Sequence, residues 1–294
     1  MLRDATAFPV AREWNSESVP GSGAGWRAHL ALAFERRGER SVLASRSHDG
    51  PLVVQKALHP EGAAVCHAIV VHPPGGIAGG DELVIGVTAG ENSHALLTTP
   101  GAGKWYRSAG SRASQRVRLD AAAGSTIEWL PQETIVYDGA LADLRWEATL
   151  AHDARLIAWD IACLGRTGAG EGFERGRLRI ESRVLRAGRL AWMERGRIEP
   201  GSRAAASDAG LAGHTVFGTM LVAASAIDDA WLAACREATP RSGEASVTRL
   251  PGLLIARYRG DSTEAARNHF IALWKRLRLP VLGREAVEPR IWRT

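Results

Sequence analysis

Apolar and polar residues alternate over long stretches of this chain, a pattern that no amphipathic helix can use. Trp26, Ala28, Leu30, Leu32 and Phe34 alternate with Arg27, His29, Ala31 and Ala33. Period two sends successive side chains to opposite faces of a strand, so the stretch predicts a half-buried β-strand. Leu83, Ile85 and Val87 repeat the pattern, as do Leu144, Trp146, Ala148 and Leu150 with Arg145, Glu147 and Thr149 facing out. Leu178 and Ile180 lie between Arg177, Arg179 and Glu181, and Arg183 to Trp192 predicts two strands around Ala187-Gly188. Cys66 to Val71 and Leu156 to Leu164 are mainly apolar, as strands buried on both faces are. Gly (32) and Pro (13) follow no collagen-like period, so they punctuate turns between many short elements.

Helical spacing is confined to the end of the chain. Asp228-Asp229 precedes Ala230, Trp231, Ala234 and Cys235. Asp261, with Glu264 three residues on, reads as a capping box. Ala266, Phe270, Trp274 and Leu277 then share one face, with Arg276 and Arg278 near the end and Pro280 as the expected stop. With no linker, repeat or composition break, the expectation is a single, mainly β domain over residues 1–294 with two helices in the C-terminal third. About residues 1–20 are read as a flexible N-terminal segment.

Charge and cysteine usage narrow the function classes. Lys56, Lys104 and Lys275 are the only lysines among 37 basic residues, and the net charge of +5 is spread along the chain. Nucleic-acid binders concentrate such charge in a stripe, so no nucleic-acid partner is expected. Cys66, Cys163 and Cys235 form no CxxC pair, which fits a reducing compartment and a cytoplasmic protein. The N-terminus lacks a signal-peptide core, and no apolar run approaches the ~20 residues that a membrane helix needs, so no membrane partner is expected.

Few motifs carry chemistry. His72-Pro73-Pro74-Gly75-Gly76-Ile77-Ala78-Gly79-Gly80-Asp81-Glu82 makes a rigid corner between two strands. A phosphate-cradling loop needs a helix to follow, and here a strand follows. A tight corner is the stronger reading, though it leaves His72, Asp81 and Glu82 unexplained. Gly101-Ala102-Gly103-Lys104-Trp105 resembles a P-loop, but Thr98 stands where glycine is needed and Trp105 where a hydroxyl is needed. His59, Cys66, His67, His72 and His94 match no closed zinc spacing. Asp160 lies inside an apolar run and Glu194 follows Leu190-Ala191-Trp192-Met193. A carboxylate in such a place is costly unless paired, hydrated or ligating. An arginine partner and a functional role are equally good readings for these two, whereas a structural role is preferred for Glu128 and Glu133. A hydrolase using His72, Asp81 and Asp160 in a β-rich cleft is the rival from another class.

Several ordered motifs resemble the UreD (UreH) family of urease accessory proteins. They are His72 to Asp81, Thr99-Pro100-Gly101-Ala102 with Lys104-Trp105-Tyr106-Arg107-Ser108, Trp129-Leu130-Pro131-Gln132-Glu133-Thr134, Leu164-Gly165-Arg166 with Gly170-Glu171-Phe173, Gly213-His214-Thr215-Val216 and Pro289-Arg290-Ile291-Trp292. Trp105 replaces the more usual Phe, Gly103 a Ser or Thr, and Ala64 a Glu found in some relatives. The resemblance implies a non-catalytic scaffold of irregular, β-helix-like stacked strands. It implies as partners apo-urease, a helical UreF-type protein and, through it, a UreG-type GTPase. It also implies transit of Ni²⁺ through an internal path, with no permanently bound cofactor. Carried onto this sequence, the candidate path residues are Asp81, Glu82, Asp160, Glu194, Cys66 and His72. The last helix and the tail from Pro289 to Thr294 are candidates for a partner surface, with core packing the stronger reading for Phe270 and Trp274.

Overall fold

A computed structural model describes residues 25–293, so the expected flexible segment lies outside the described residues. The first strands are β1 (Arg27–Arg37), β2 (Arg40–Asp49), β3 (Val53–Val54), β4 (Cys66–Val71), β5 (Glu82–Ala89) and β6 (His94–Thr98). Next come β7 (Gly103–Trp105), β8 (Ala113–Ala121), β9 (Thr126–Trp129), β10 (Thr134–Val136), β11 (Leu141–Leu150) and β12 (Arg155–Leu164). The hairpin β13 (Arg177–Arg186) and β14 (Arg189–Ile198) leads to α1 (Arg203–Ala206), β15 (Val216–Ala223) and α2 (Asp229–Arg236). The chain closes with β16 (Glu244–Leu250), β17 (Leu253–Gly260) and α3 (Thr263–Leu282).

These strands form two facing sheets. One has the order β14-β13-β11-β8-β5-β1-β2; the other runs β16-β17-β15-β12-β9-β6-β4-β3, with β7 and β10 attached beside β12. The chain alternates between the sheets, β5 to β6, β8 to β9 and β11 to β12, and like strands stack in parallel. Glu82 pairs with Ser114 and Ser114 with Asp143, so successive coils take 32 and then 29 residues. The β-helix-like stacking is therefore present, and with it a structural repeat that the sequence does not display. Each coil repeats a backbone path, not a set of side chains.

Alternation explains the first sheet. Leu30, Leu32, Phe34, Leu83, Ile85, Val87 and Leu119 are buried to 3% exposure or less, while their neighbours face outward. Each such side chain contributes roughly 1.5–3 kcal/mol when removed from water. The second sheet is covered on both faces: Leu156, Ala158 and Leu164 face the first sheet, while Ile157, Trp159 and Ile161 pack with Phe270 and Trp274 of α3. Two-sided burial is why its strands read as continuous apolar runs.

The two expected helices are present, with α1 as an added single turn. Two details of α3 differ from expectation. Its cap is Ser262, whose hydroxyl accepts from the Ala265 N–H, whereas Asp261 accepts from the Thr215 N–H and pairs with His214. Pro280 sits inside the helix, which runs on to Leu282 and ends at Gly283 with φ +70°. So near the C-terminus the ring removes one of the last helical hydrogen bonds without an extended helix beyond it to disrupt.

A buried ionic cluster fastens α3 to the coils. The Arg278 guanidinium, with no exposure, donates to both oxygens of Glu128 at 3.0 and 3.1 Å, and to both oxygens of Glu61. His94 donates to Glu128 at 2.6 Å, Trp274 donates to its other oxygen at 2.6 Å, and His67 donates to Glu61. His67, His94 and Glu128 come from the adjacent strands β4, β6 and β9, so one helix residue bridges three successive coils. Burial would raise the Glu128 pKa, but His94 and Arg278 outweigh it and hold it at about 2, below its ordinary 4.5. Truncation leaves a buried guanidinium short of a partner, so Glu128→Ala is expected to cost about 3–5 kcal/mol in urea unfolding. A group whose pKa falls on folding stabilises the fold above its unfolded pKa and loses that effect as pH falls. The stability difference between wild type and Glu128→Gln should therefore shrink as pH drops from about 5 towards 2. A difference that ignores pH would mean that the carboxylate is not ionised in the fold.

Candidate functional site

Asp160 breaks the inward-facing row of β12. Its neighbours on that face, Ala158 and Ala162, are buried, yet the Asp160 carboxylate is open to water while protein surrounds it on every side. The group lines a space between the two sheets. The space is a chamber of about 70 Å³ between the sheets, enough for several waters. Glu194 of β14, Thr219 of β15 and Trp146 of β11 share its wall.

Two further spaces adjoin this chamber. One, of about 330 Å³, is lined by His72, Gly75, Gly76 and Lys104 of the Gly-rich corner and the β7 region. It shares Gln115, Trp129, Pro131, Gln132 and Thr134 with the Asp160 chamber. The other, of about 580 Å³, opens beside Arg257, Glu244 and Arg259, and shares Glu194, Phe217 and Thr219. The three spaces lie side by side between the sheets, in the order His72, then Asp160 and Glu194, then Arg257, with the shared residues standing between neighbours; we term this row the seam.

The electrostatics along the seam are uneven. Among the described residues no arginine pairs with Asp160, although Arg145 lines the same chamber. Burial raises its pKa to about 7 from an ordinary 3.8, the charge of Glu194 raises it further, and a hydrogen bond from Trp146 opposes them. Glu194 is paired with Arg257 and also accepts from the Thr219 hydroxyl at 3.4 Å. Partial burial lowers the pKa of His72 against the opposing charge of Asp81, which favours the neutral imidazole that can bind a metal.

The other candidates lie elsewhere. Asp81 spends its oxygens on the Trp26 and Ala78 N–H groups, both at 2.8 Å, and so pins the corner. Glu82 is exposed at the start of β5, beside Arg27 of β1. Cys66 is fully buried, its thiol pKa raised by burial, and it is part of none of the three walls. Thus Asp160 and Glu194 are brought together, His72 joins them at the next chamber, and Asp81, Glu82 and Cys66 stand apart. His59, His67 and His94 are engaged with Ser41, Glu61 and Glu128. Among the described residues, no three His, Cys, Asp or Glu side chains converge as a metal cage. The hydrolytic trio does not assemble either, since His72 and Asp160 line different chambers and Asp81 is occupied by backbone.

A family model described as "UreD urease accessory protein" matches residues 27–293. The chain belongs to that family. It is 57% identical over 270 residues to the urease accessory protein UreD of Azoarcus sp. (strain BH72), covering 92% of this chain and 95% of the relative. To that of Dechloromonas aromatica (strain RCB) it is 54% identical over 285 residues, covering 94% and 98%. A Pseudomonas aeruginosa (strain PAO1) UreD is 49% identical over 270 residues, covering 92% and 95%. In the UreD fold seen here, the Trp129-to-Thr134 motif supplies four of the five residues shared by the two inner chambers.

Sequence reasoning missed Gln115, Ser182 and Thr219 as seam residues. A signal was available for the first two: Gln115 sits at an inward position of β8 with Ala113, Val117 and Leu119, and Ser182 at one of β13 with Leu178 and Val184. A polar residue on the apolar parity of a strand marks water inside.

The raised Asp160 pKa has a stability consequence with a definite sign. Well below the ordinary value of 3.8, at about pH 3 and under, both folded and unfolded states are protonated, so there the group is neutral to stability. As pH rises from about 4 to about 7, the unfolded state ionises first and wild type loses stability; above that the loss is constant. Asp160→Asn removes the titration. Its melting temperature should match wild type at about pH 3 and exceed it at about pH 8. Parallel curves across that range would show that Asp160 titrates normally.

Proposed function

We propose that this chain acts in urease maturation as a non-catalytic scaffold that conducts Ni²⁺ along the seam between its sheets. The observation that carries the reading is the row of adjoining spaces between the sheets, with Asp160 and Glu194 in the wall of the middle one. Nickel is the cargo here, and it prefers nitrogen and oxygen donors in an open arrangement. Conduction needs sites strong enough to admit an ion and weak enough to release it. Asp160 and Glu194 on one side and neutral His72 on the other provide such spaced, partial coordination without a closed cage. Because the Asp160 carboxyl sits near pH 7, an arriving cation displaces a proton from it, and the proton returns when the ion moves on.

The scaffold role brings in apo-urease, a UreF-type helical protein and, through it, a UreG-type GTPase, in the cytoplasm. No permanently bound cofactor is part of the reading. Among the described residues no helix is long and apolar enough to cross a membrane, which fits that setting. The exposed residues of α3 and the turn Arg290–Arg293 provide a candidate partner surface, whereas Phe270 and Trp274 are fully buried and serve the core.

Co-expression with urease and the other accessory proteins tests the reading. Asp160→Ala should still capture the UreF-type partner in affinity and size-exclusion experiments, while the nickel bound per urease falls. With purified components, nickel transfer by wild type should rise between pH 6 and 8 as the carboxyl ionises, and the Asn variant should lose that slope. Full nickel loading by Asp160→Ala would sink the conduction reading. Failure of wild type to bind the UreF-type partner would sink the scaffold.

A further inference from the structure

Between the Asp160 chamber and the His72 chamber the walls change character. The shared residues Gln115, Trp129, Pro131, Gln132 and Thr134 include no charged group, although carboxylates lie on one side and Lys104 and His72 on the other. The Gln132 side chain is held from outside the seam: Arg267 of α3 donates from Nη1 to Gln132 Oε1 at 2.7 Å and reaches Glu133 at 3.4 Å. The Gln132 backbone N–H donates to the Thr99 hydroxyl at 2.9 Å, so the residue is fixed at both ends. A guanidinium only donates, which settles the amide orientation with the oxygen towards Arg267. The Gln132 NH₂, the Gln115 amide and the Thr134 hydroxyl make no side-chain hydrogen bonds to described residues. Polar groups in such a place are satisfied by water.

We propose that Gln115, Gln132 and Thr134 form an uncharged, water-lined neck that selects the cargo of the seam, and that Arg267 is the positioning residue that sets the Gln132 amide within it. This inference rests on the conduction reading and assigns where selectivity resides. A carboxylate at the neck would trap a divalent cation between the two chambers. The Gln115 amide oxygen and the Thr134 hydroxyl can accept from the outward-pointing hydrogens of the ion's inner waters, while the Gln132 NH₂, a donor only, repels an ion stripped of its shell. The neck therefore favours ions that keep their inner water, and holds none of them for long. Arg267 is partly exposed on α3, so the amide orientation is also within reach of whatever docks on that helix.

The test uses the full chain co-expressed with urease and the other accessory proteins, with nickel alone or with added zinc, and reads both metals in purified urease. Gln132→Glu keeps an acceptor for Arg267, so it preserves the contact while placing a charge in the neck; nickel loading rate should fall about tenfold. Arg267→Met frees the amide to turn, so the nickel-to-zinc ratio in urease should fall when zinc is present. Arg267→Lys keeps a donor and should restore much of the ratio. A merely structural role would lower both metals together and leave the ratio unchanged. That result, or wild-type loading by Gln132→Glu, overturns the neck while leaving conduction intact if Asp160→Ala still loses nickel. Full loading by Asp160→Ala removes the seam and the neck with it.

Discussion

Arg278 makes the rest of the architecture possible. A stack of parallel coils joined only by backbone hydrogen bonds has little to set the position of a helix laid across it. The guanidinium fills its donor positions with Glu61, Glu128 and the Glu285 carbonyl, while His67, His94 and Trp274 complete the carboxylates. Desolvating two carboxylates and a guanidinium is expensive, and the cluster tolerates it because nearly every donor and acceptor is matched. What it gives in return is location. Only one placement of α3 satisfies β4, β6 and β9 together, and that placement seals the outer face of the second sheet.

Sealing that face leaves the molecule with two interiors that treat polar groups in opposite ways. On the α3 side, each buried charge of the cluster has a protein partner of opposite sign, and the aromatic rings of Trp159, Phe270, Trp274 and Trp292 pack around it. On the inter-sheet side, among the described residues, Asp160 lines the space without a cationic partner. The same strand, β12, serves both: Trp159 points one way and Asp160 the other. One interior is closed and paired, the other has space between the sheets. A protein that needed only stability would gain from an apolar residue at position 160, since nothing in the fold uses its charge.

Much of this was legible in the residues. Alternation gave β1, β5, β11 and the hairpin β13–β14, because each has one face to a core and one to water. Continuous apolar runs gave β4 and β12, because both their faces are covered. The coil repeat was hidden, since the two clearest periods differ by three residues and the coils share geometry without sharing side chains. The cap of α3 was misread by one residue because Asp261 and Ser262 are both good caps, and the tertiary contact with Thr215 and His214 decides between them. At the site, Asp160 and Glu194 were visible as charges in apolar settings. Asp81 stood out only by its place just after the Gly-rich corner, and it is a backbone pin, a role that depends on which N–H groups come near. Glu61, His67, His94 and Arg278 lie up to 217 residues apart, and no local pattern links them.

Placing the seam between sheets has a consequence for how an ion could move in it. In a strand, residues two apart on one face are about 7 Å from each other, and neighbouring strands are about 4.8 Å apart. Polar side chains at inward positions of β8, β11, β12, β13 and β14 therefore fall at spacings suited to successive weak contacts, and too wide for one closed coordination sphere. A solenoid core supplies such a row simply by exchanging a few apolar residues for polar ones, with each exchange costing stability only where water cannot follow. Close packing fixes two glycines there: a Cβ at Gly196 would meet Ile180 at 2.8 Å, and one at Gly218 would meet the Asp160 carbonyl at 2.7 Å and Phe270 at 2.9 Å. On the conduction reading proposed above, the fold separates two demands that conflict in a small site: the paired cluster around Arg278 holds the shape, which leaves the seam free to bind an ion weakly.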